Sequence, residues 1–122
     1  MPQPAASGDK EHRGVAMVIG GATEVPGALL LAGVAALRVG AGKLQLAAPR
    51  SVAPSLGVAL PEARVFALPE SGDGFLDRRS GGRAADCARG ADAILIGPGM
   101  LNEDAIRGFF DELIRKVADR QL

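Results

Sequence analysis

The residues best placed to do chemistry in this chain are glycines. Gly20-Gly21 and Pro26-Gly27-Ala28 follow the apolar run Val15-Ala16-Met17-Val18-Ile19, and Gly97-Pro98-Gly99 follows Ala93-Ile94-Leu95-Ile96. Glycine turns after such runs bring bare backbone N–H groups, and the start of the next helix, up to a ligand. The chemistry on offer is recognition by backbone. The same glycines also permit tight strand-to-helix turns, and the residues alone leave both readings open. Two common phosphate motifs are excluded. Gly21 to Gly27 lacks the Lys-Ser/Thr pair of a P-loop, and Leu101 and Asn102 stand where a dinucleotide fingerprint would carry its third glycine.

Side chains add no catalytic set. His12 sits in a polar stretch that fixes no geometry for a base or ligand, and Asp9, Lys10 and Glu11 beside it read as a solvated run or as a charged arm folding over the site. Thr23 and Glu24 lie inside the first turn, where they could touch a ligand, although turn polarity accounts for them equally well. Asp73 and Asp77 are too isolated to pair on a metal, and Asp92 reads as the opening of a strand. Cys87 has no histidine near it in sequence and reads as a buried helical thiol. No nucleophile, base and orienting group can be assembled, and no metal site is expected.

Composition narrows the class further. The 122 residues are one domain at most, small for a doubly wound enzyme. Fourteen Lys and Arg balance fourteen Asp and Glu, the basic residues are scattered, and there is no Trp or Tyr and only four Phe. This argues against nucleic acid and against an anionic membrane surface. One cysteine permits no disulfide within the chain and suits a reducing cytoplasm. Met1 to Arg13 lacks the apolar core of a secretory signal, and Ala28 to Leu37 is broken by Gly33 and falls far short of the ~20 residues of a membrane span. A cytoplasmic location follows as the expectation.

The elements that must hold the glycine turns can be read from periodicity. Residues 1–13 read as a flexible arm, and order is expected from Gly14. Val15–Ile19 is a doubly buried strand. Leu29, Leu30, Ala32, Gly33, Ala36 and Leu37 then follow a helical period from Pro26, stopped by Gly40 and Gly42. Lys43–Ala47 alternates like a half-exposed or edge strand. Ser51 is placed to cap a helix reaching about Leu60, and Arg64–Leu68 is a third strand. From Pro69 to Gly82 the composition predicts a long exposed loop, then a short helix from Arg83 to Arg89. Asp92–Ile96 is the fourth strand. Asn102 caps a last helix carrying the stripe Ile106, Phe109, Phe110, Leu113, Ile114 and Val117. The β-α alternation gives a mostly parallel α/β sheet. It stops after a helix where another strand is due, so residues 14–122 are expected to be the amino-terminal part of a larger domain, or one completed by another chain. The apolar edge so left predicts self-association into a homo-oligomer.

One family resemblance covers Asp9 to Val117. Val18-Ile19-Gly20-Gly21-Ala22, Pro26-Gly27-Ala28-Leu29-Leu30-Leu31-Ala32-Gly33, Ala36-Leu37-Arg38-Val39-Gly40-Ala41-Gly42-Lys43-Leu44 and Ile96-Gly97-Pro98-Gly99-Met100, in that order and spacing, resemble the ADP/ATP-dependent NAD(P)H-hydrate dehydratases, repair lyases of the ribokinase-like superfamily. Lys10 and Gly14 match the segment before that family's first strand. The resemblance implies a three-layer α/β/α domain that dehydrates hydrated NADH or NADPH while ADP or ATP is consumed, with Mg2+. It implies substrate-binding roles for Gly27, Ala28, Gly97, Gly99 and Leu101. Val25 replaces a common tyrosine, Leu101 a common glycine, and Asp9 and Glu11 a common histidine and glycine. The family's His-Pro-Gly-Glu segment, its nucleotide loops and its Gly-Thr-Gly-Asp motif with the catalytic aspartate fall beyond residue 122, so these residues alone are expected to be inactive. A ribokinase-like kinase of a small alcohol, or a non-catalytic nucleotide-binding or assembly module, are the alternatives.

Overall fold

A computed structural model describes residues 14–120 of the chain. The arm expected over residues 1–13, with His12, Asp9, Lys10 and Glu11, lies outside them. Four strands, β1 (Val15–Ile19), β2 (Lys43–Pro49), β3 (Arg64–Leu68) and β4 (Ala93–Ile96), form one sheet in the order β3-β2-β1-β4. Every pairing is parallel, with Ile19 opposite Ala47 on one side and Ile96 on the other.

Period-two alternation sends successive side chains of each inner strand to opposite faces, and both faces are covered. Val18, Leu44, Leu46 and Ala48 pack with Leu29 of α1 (Pro26–Arg38) and Leu56 of α2 (Ala53–Ala59). Met17, Ile19, Ala47 and Leu68 pack on the other face with Ala84 and Ala85 of α3 (Arg78–Cys87) and Phe109 and Leu113 of α4 (Glu103–Arg120). The result is the three-layer α/β/α arrangement expected. Complete burial of side chains the size of Leu46 or Phe109 contributes roughly 2–3 kcal/mol each.

Several local expectations are corrected. β2 is an inner strand, not an edge, and runs on to Pro49, because Ala47, Ala48 and Pro49 are buried under both helical layers. Ser51 does not cap α2, whose N-cap is Val52 without a side-chain hydrogen bond. The segment from Pro69 to Gly82 is not one exposed loop. Leu76 is buried, Phe75 bridges Ala22, and α3 begins at Arg78 rather than Arg83. Asp77 sets that start: its Oδ1 accepts from the Arg79 N–H at 3.0 Å, while the Ser80 hydroxyl accepts from the Asp77 N–H at 3.1 Å. A 3-10 turn over Ala88–Gly90 then leads to β4.

The stripe on α4 is only half covered. Phe109 and Leu113 are buried, but Ile114 is 62% exposed, and on the neighbouring edge strand Ile94 and Leu95 are 47% and 53% exposed. An apolar groove of about 420 Å³ runs between Ile114 and Ile94, bounded by Ile96, Phe110 and Val117, while Leu95 faces the α1 side of the sheet. No helix among the described residues is long and apolar enough to cross a membrane.

Candidate functional site

The strand order dictates where a ligand can approach. From β1 the chain moves outward through β2 to β3, then crosses back past β1 to lay down β4 on its far side. Connections therefore diverge between β1 and β4, and in open parallel sheets the crevice beyond the carboxyl ends of two such strands is the ligand position. Both glycine turns stand there.

The turns are built against each other. Gly97 donates its N–H to the Ile19 carbonyl at 3.0 Å, and Gly21 donates to the Pro98 carbonyl at 2.7 Å. A β-carbon on Gly20 would collide with that same Pro98 carbonyl oxygen. Gly99 has φ of +72°, and a β-carbon there would stand 2.8 Å from the Val25 carbonyl oxygen and 3.2 Å from the Ala28 β-carbon. Gly20 and Gly99 are thus glycines because two backbones meet. Gly27 and Gly97 are different. A β-carbon on either would meet nothing within 4 Å, and both residues are exposed. Gly99 and Ala28 are brought together, Gly27 and Gly97 flank them with open space, and Leu101 is half-buried between the second turn and α4.

The two helices that leave these turns start differently. α1 begins with Val25 as N-cap, Pro26 in its first turn, no side-chain cap and no acidic residue, so the N–H groups of Gly27 and Ala28 have no capping acceptor at the positive pole of the helix. α4 is closed off. The Asn102 Oδ1 accepts from the Ala105 N–H at 3.1 Å, and Glu103 and Asp104 occupy the first turn. Only the first start suits an anionic or strongly accepting ligand group.

A polar cluster that sequence reading missed braces the first turn. Thr23, Ser51 and Glu70 follow β1, β2 and β3, and the Glu70 carboxylate accepts from the Ser51 N–H at 2.5 Å and from the Ser51 hydroxyl at 3.1 Å. The Ser51 and Thr23 hydroxyl oxygens are 2.8 Å apart. These residues are 47 positions apart in sequence at the extremes, and only the parallel topology places them together, at the one end of the sheet where all three loops emerge. Glu24, the other candidate of the first turn, is exposed.

The remaining candidates fall elsewhere. Asp92 ties the amino ends of β1 and β4, its Oδ2 accepting from the Val15 N–H at 2.8 Å. Cys87, at the end of α3, is half-buried rather than buried as expected, and that partial burial raises its thiol above the ordinary range, partly offset by the charges of Arg83 and Arg64, the opposite of an activated thiolate. Among the described residues no three His, Cys, Asp or Glu side chains are grouped to hold a metal. A cavity of about 620 Å³, lined by Lys43, Gln45, Glu62 and Arg64, opens at the amino ends of β2 and β3. It lies at the wrong end of the sheet for the glycine turns, and topology is the stronger guide to the site.

This layered parallel sheet with its switch-point turns defines a three-layer α/β protein. A ribokinase-like superfamily protein of Enterococcus faecalis has the same fold, with a TM-score of 0.72 at 22% identity over 93% of this chain and 37% of that one. The chain belongs to the NAD(P)H-hydrate dehydratase family, whose model matches residues 16–120. Among its relatives, an ADP-dependent (S)-NAD(P)H-hydrate dehydratase of Xanthomonas campestris is 57% identical over 98% of this chain. The crystal structure of the ADP/ATP-dependent NAD(P)H-hydrate dehydratase of Bacillus subtilis, co-crystallized with ATP and Mg2+, matches with a TM-score of 0.71 at 30% identity, over 94% of this chain and 38% of that one. The chain spans 39% of the length of the Xanthomonas relative.

Proposed function

We propose that these residues form the substrate side of a nucleotide-dependent lyase that dehydrates hydrated NADH or NADPH to the working cofactor. The observation that carries this reading is the meeting of Gly99 with Ala28 at the switch point, beside the uncapped start of α1. Gly27 and Ala28 supply N–H donors there. The missing side chains at Gly27 and Gly97 admit the ligand, and Gly99 and Leu101 shape the wall between them. Charge on a pyrophosphate would gain from the positive pole of α1.

The nucleotide side is assigned to other residues. ADP or ATP with Mg2+ needs carboxylates or a phosphate cradle; among the described residues no three His, Cys, Asp or Glu side chains are grouped for a metal, and of the two helices that leave the glycine turns only α1 starts uncapped. The family's Gly-Thr-Gly-Asp motif with its catalytic aspartate is not among these residues, so they are proposed to bind without turnover, in the cytoplasm, as a homo-oligomer joined through the apolar β4 edge.

Titration calorimetry on the purified chain tests the reading. Hydrated NADPH is expected to release heat while ordinary NADPH gives far less, and addition of ADP or ATP with Mg2+ is expected to restore no reduced-nicotinamide absorbance. Absence of heat would overturn the substrate assignment, and restored absorbance would overturn the division of labour.

A further inference from the structure

We infer that Glu70 is a positioning residue, whose carboxylate latches the turn after β2 to the turn after β1 and so fixes the backbone that faces the substrate. This rests on the substrate reading above.

Hydrogen accounting gives the latch a direction. Glu70 accepts twice from Ser51, once from its N–H and once from its hydroxyl. A serine hydroxyl has one hydrogen, and here Glu70 takes it, so in the 2.8 Å contact Thr23 donates and Ser51 accepts, the Thr23 hydroxyl favouring this short bond over its other acceptor, the Gly74 carbonyl at 3.5 Å. The relay runs from Thr23 through Ser51 to the carboxylate. Thr23 is held again through its own N–H, which donates to the Gly74 carbonyl at 3.1 Å.

Glu70 is itself anchored. The Arg79 guanidinium donates to its carbonyl oxygen, and the Ser80 hydroxyl, buried in α3, donates to the carbonyl of Pro69. A carboxylate carried on a loop tied to α3 thus reaches across to the two preceding loops. On its far side the first turn is held by the bond from Gly21 to the Pro98 carbonyl. Pro26-Gly27-Ala28 lies just past this doubly anchored stretch. Removing one anchor frees the turn to sample conformations in which the Gly27 and Ala28 N–H groups point elsewhere, and binding weakens by the fraction of the population lost.

A glutamine in place of Glu70 can preserve the latch. Its oxygen accepts from the Ser51 N–H, its amide donates to the Ser51 hydroxyl, and the relay reverses so that Ser51 donates to Thr23. Alanine cannot.

The test uses the full chain with Glu70→Ala and Glu70→Gln, read by amide hydrogen exchange and by calorimetry with hydrated NADH. In Glu70→Ala the Ser51 and Thr23 amides are expected to exchange about tenfold faster, with the Phe109 amide of α4 unchanged, and hydrated NADH is expected to bind about tenfold more weakly. Glu70→Gln is expected within about threefold of wild type on both readouts. Unchanged exchange at Ser51 and Thr23, or faster exchange with unaltered affinity, overturns the assignment, as does a Glu70→Gln loss equal to that of alanine. If the wild-type chain takes up no hydrated NADH, the substrate reading fails separately, and the exchange rates alone decide whether the latch exists.

Discussion

The two glycine turns look alike in sequence and behave as opposites in the structure. The first runs into a helix with no cap and no acid, and leaves the Gly27 and Ala28 N–H groups without a capping partner. The second runs into a helix whose start is capped by Asn102 and made negative by Glu103 and Asp104. One turn leaves its helix-start donors open, for a ligand on our proposal, while the other has a capped helix start and serves as the wall the first is packed against. A glycine-rich turn is therefore not a functional unit by composition. What decides its role is whether the backbone groups it exposes already have partners.

That contrast breaks most readily where the turns touch. Gly20→Ala places a β-carbon against the Pro98 carbonyl oxygen, a backbone atom that cannot move without shifting the second turn. A loss of about 3–4 kcal/mol is expected by chemical denaturation, a large share of a small domain's stability. Wild-type stability would show that the turns are not packed as described. Gly99→Ala is next, because it combines φ of +72° with a β-carbon 2.8 Å from the Val25 carbonyl oxygen. About 2–3 kcal/mol is expected from strain and steric displacement together, with weaker binding of hydrated NADPH because Ala28 must shift.

Asn102 sharpens the other half of the comparison. It is the one non-glycine residue with positive φ, at 72°, among the described residues, and its side chain caps α4. Asn102→Ala is expected to cost about 1–2 kcal/mol from the lost cap and the strained backbone, while Asn102→Gly costs only a few tenths. Neither is expected to change affinity for hydrated NADPH measured by calorimetry. An affinity loss with Asn102→Gly at unchanged stability would assign the second helix start a direct part in binding.

Local signals in the chain were enough for the strand order's raw material and not for its connections. Val15–Ile19 and Ala93–Ile96 are legible because short continuous apolar runs with β-branched residues have few other homes, and Arg64–Leu68 because Val65 to Leu68 is a short apolar run after Pro61. β2 misleads because Lys43 and Gln45 alternate with Leu44 and Leu46 only at its amino end, where a cavity opens. Beyond them, small residues fill the middle of the sheet. The start of α3 is hidden by Ser80-Gly81-Gly82, a loop composition by propensity. A β-carbon on Gly81 would stand 2.7 Å from the Phe109 carbonyl oxygen, so close packing of α3 on α4 requires the glycine that disguises the helix. The five positions proposed for the substrate were readable through the family resemblance. The Thr23-Ser51-Glu70 brace was not, since no local period connects three loops that only the assembled sheet brings to one end.

The smallest expected effects separate stability from binding at the start of α1. Val25→Ser places a hydroxyl at the N-cap, within reach of the N–H of Gly27 or Ala28, the second and third residues of the helix. About 0.5–1 kcal/mol of added stability is expected, because those N–H groups gain an acceptor in the folded state. The same bond competes with the ligand for the same donors, so affinity for hydrated NADPH is expected to fall severalfold as stability rises. Gly27→Ala acts in parallel: its β-carbon meets nothing in the folded chain, and restricting the unfolded state adds about 0.5 kcal/mol, while the methyl group stands where the ligand would lie. Opposite signs in the two measurements are what a helix start left open for a ligand requires. Were either substitution to raise the melting temperature and leave binding untouched, the open start of α1 would be no more than an uncapped helix, and the two turns would differ in structure without differing in function.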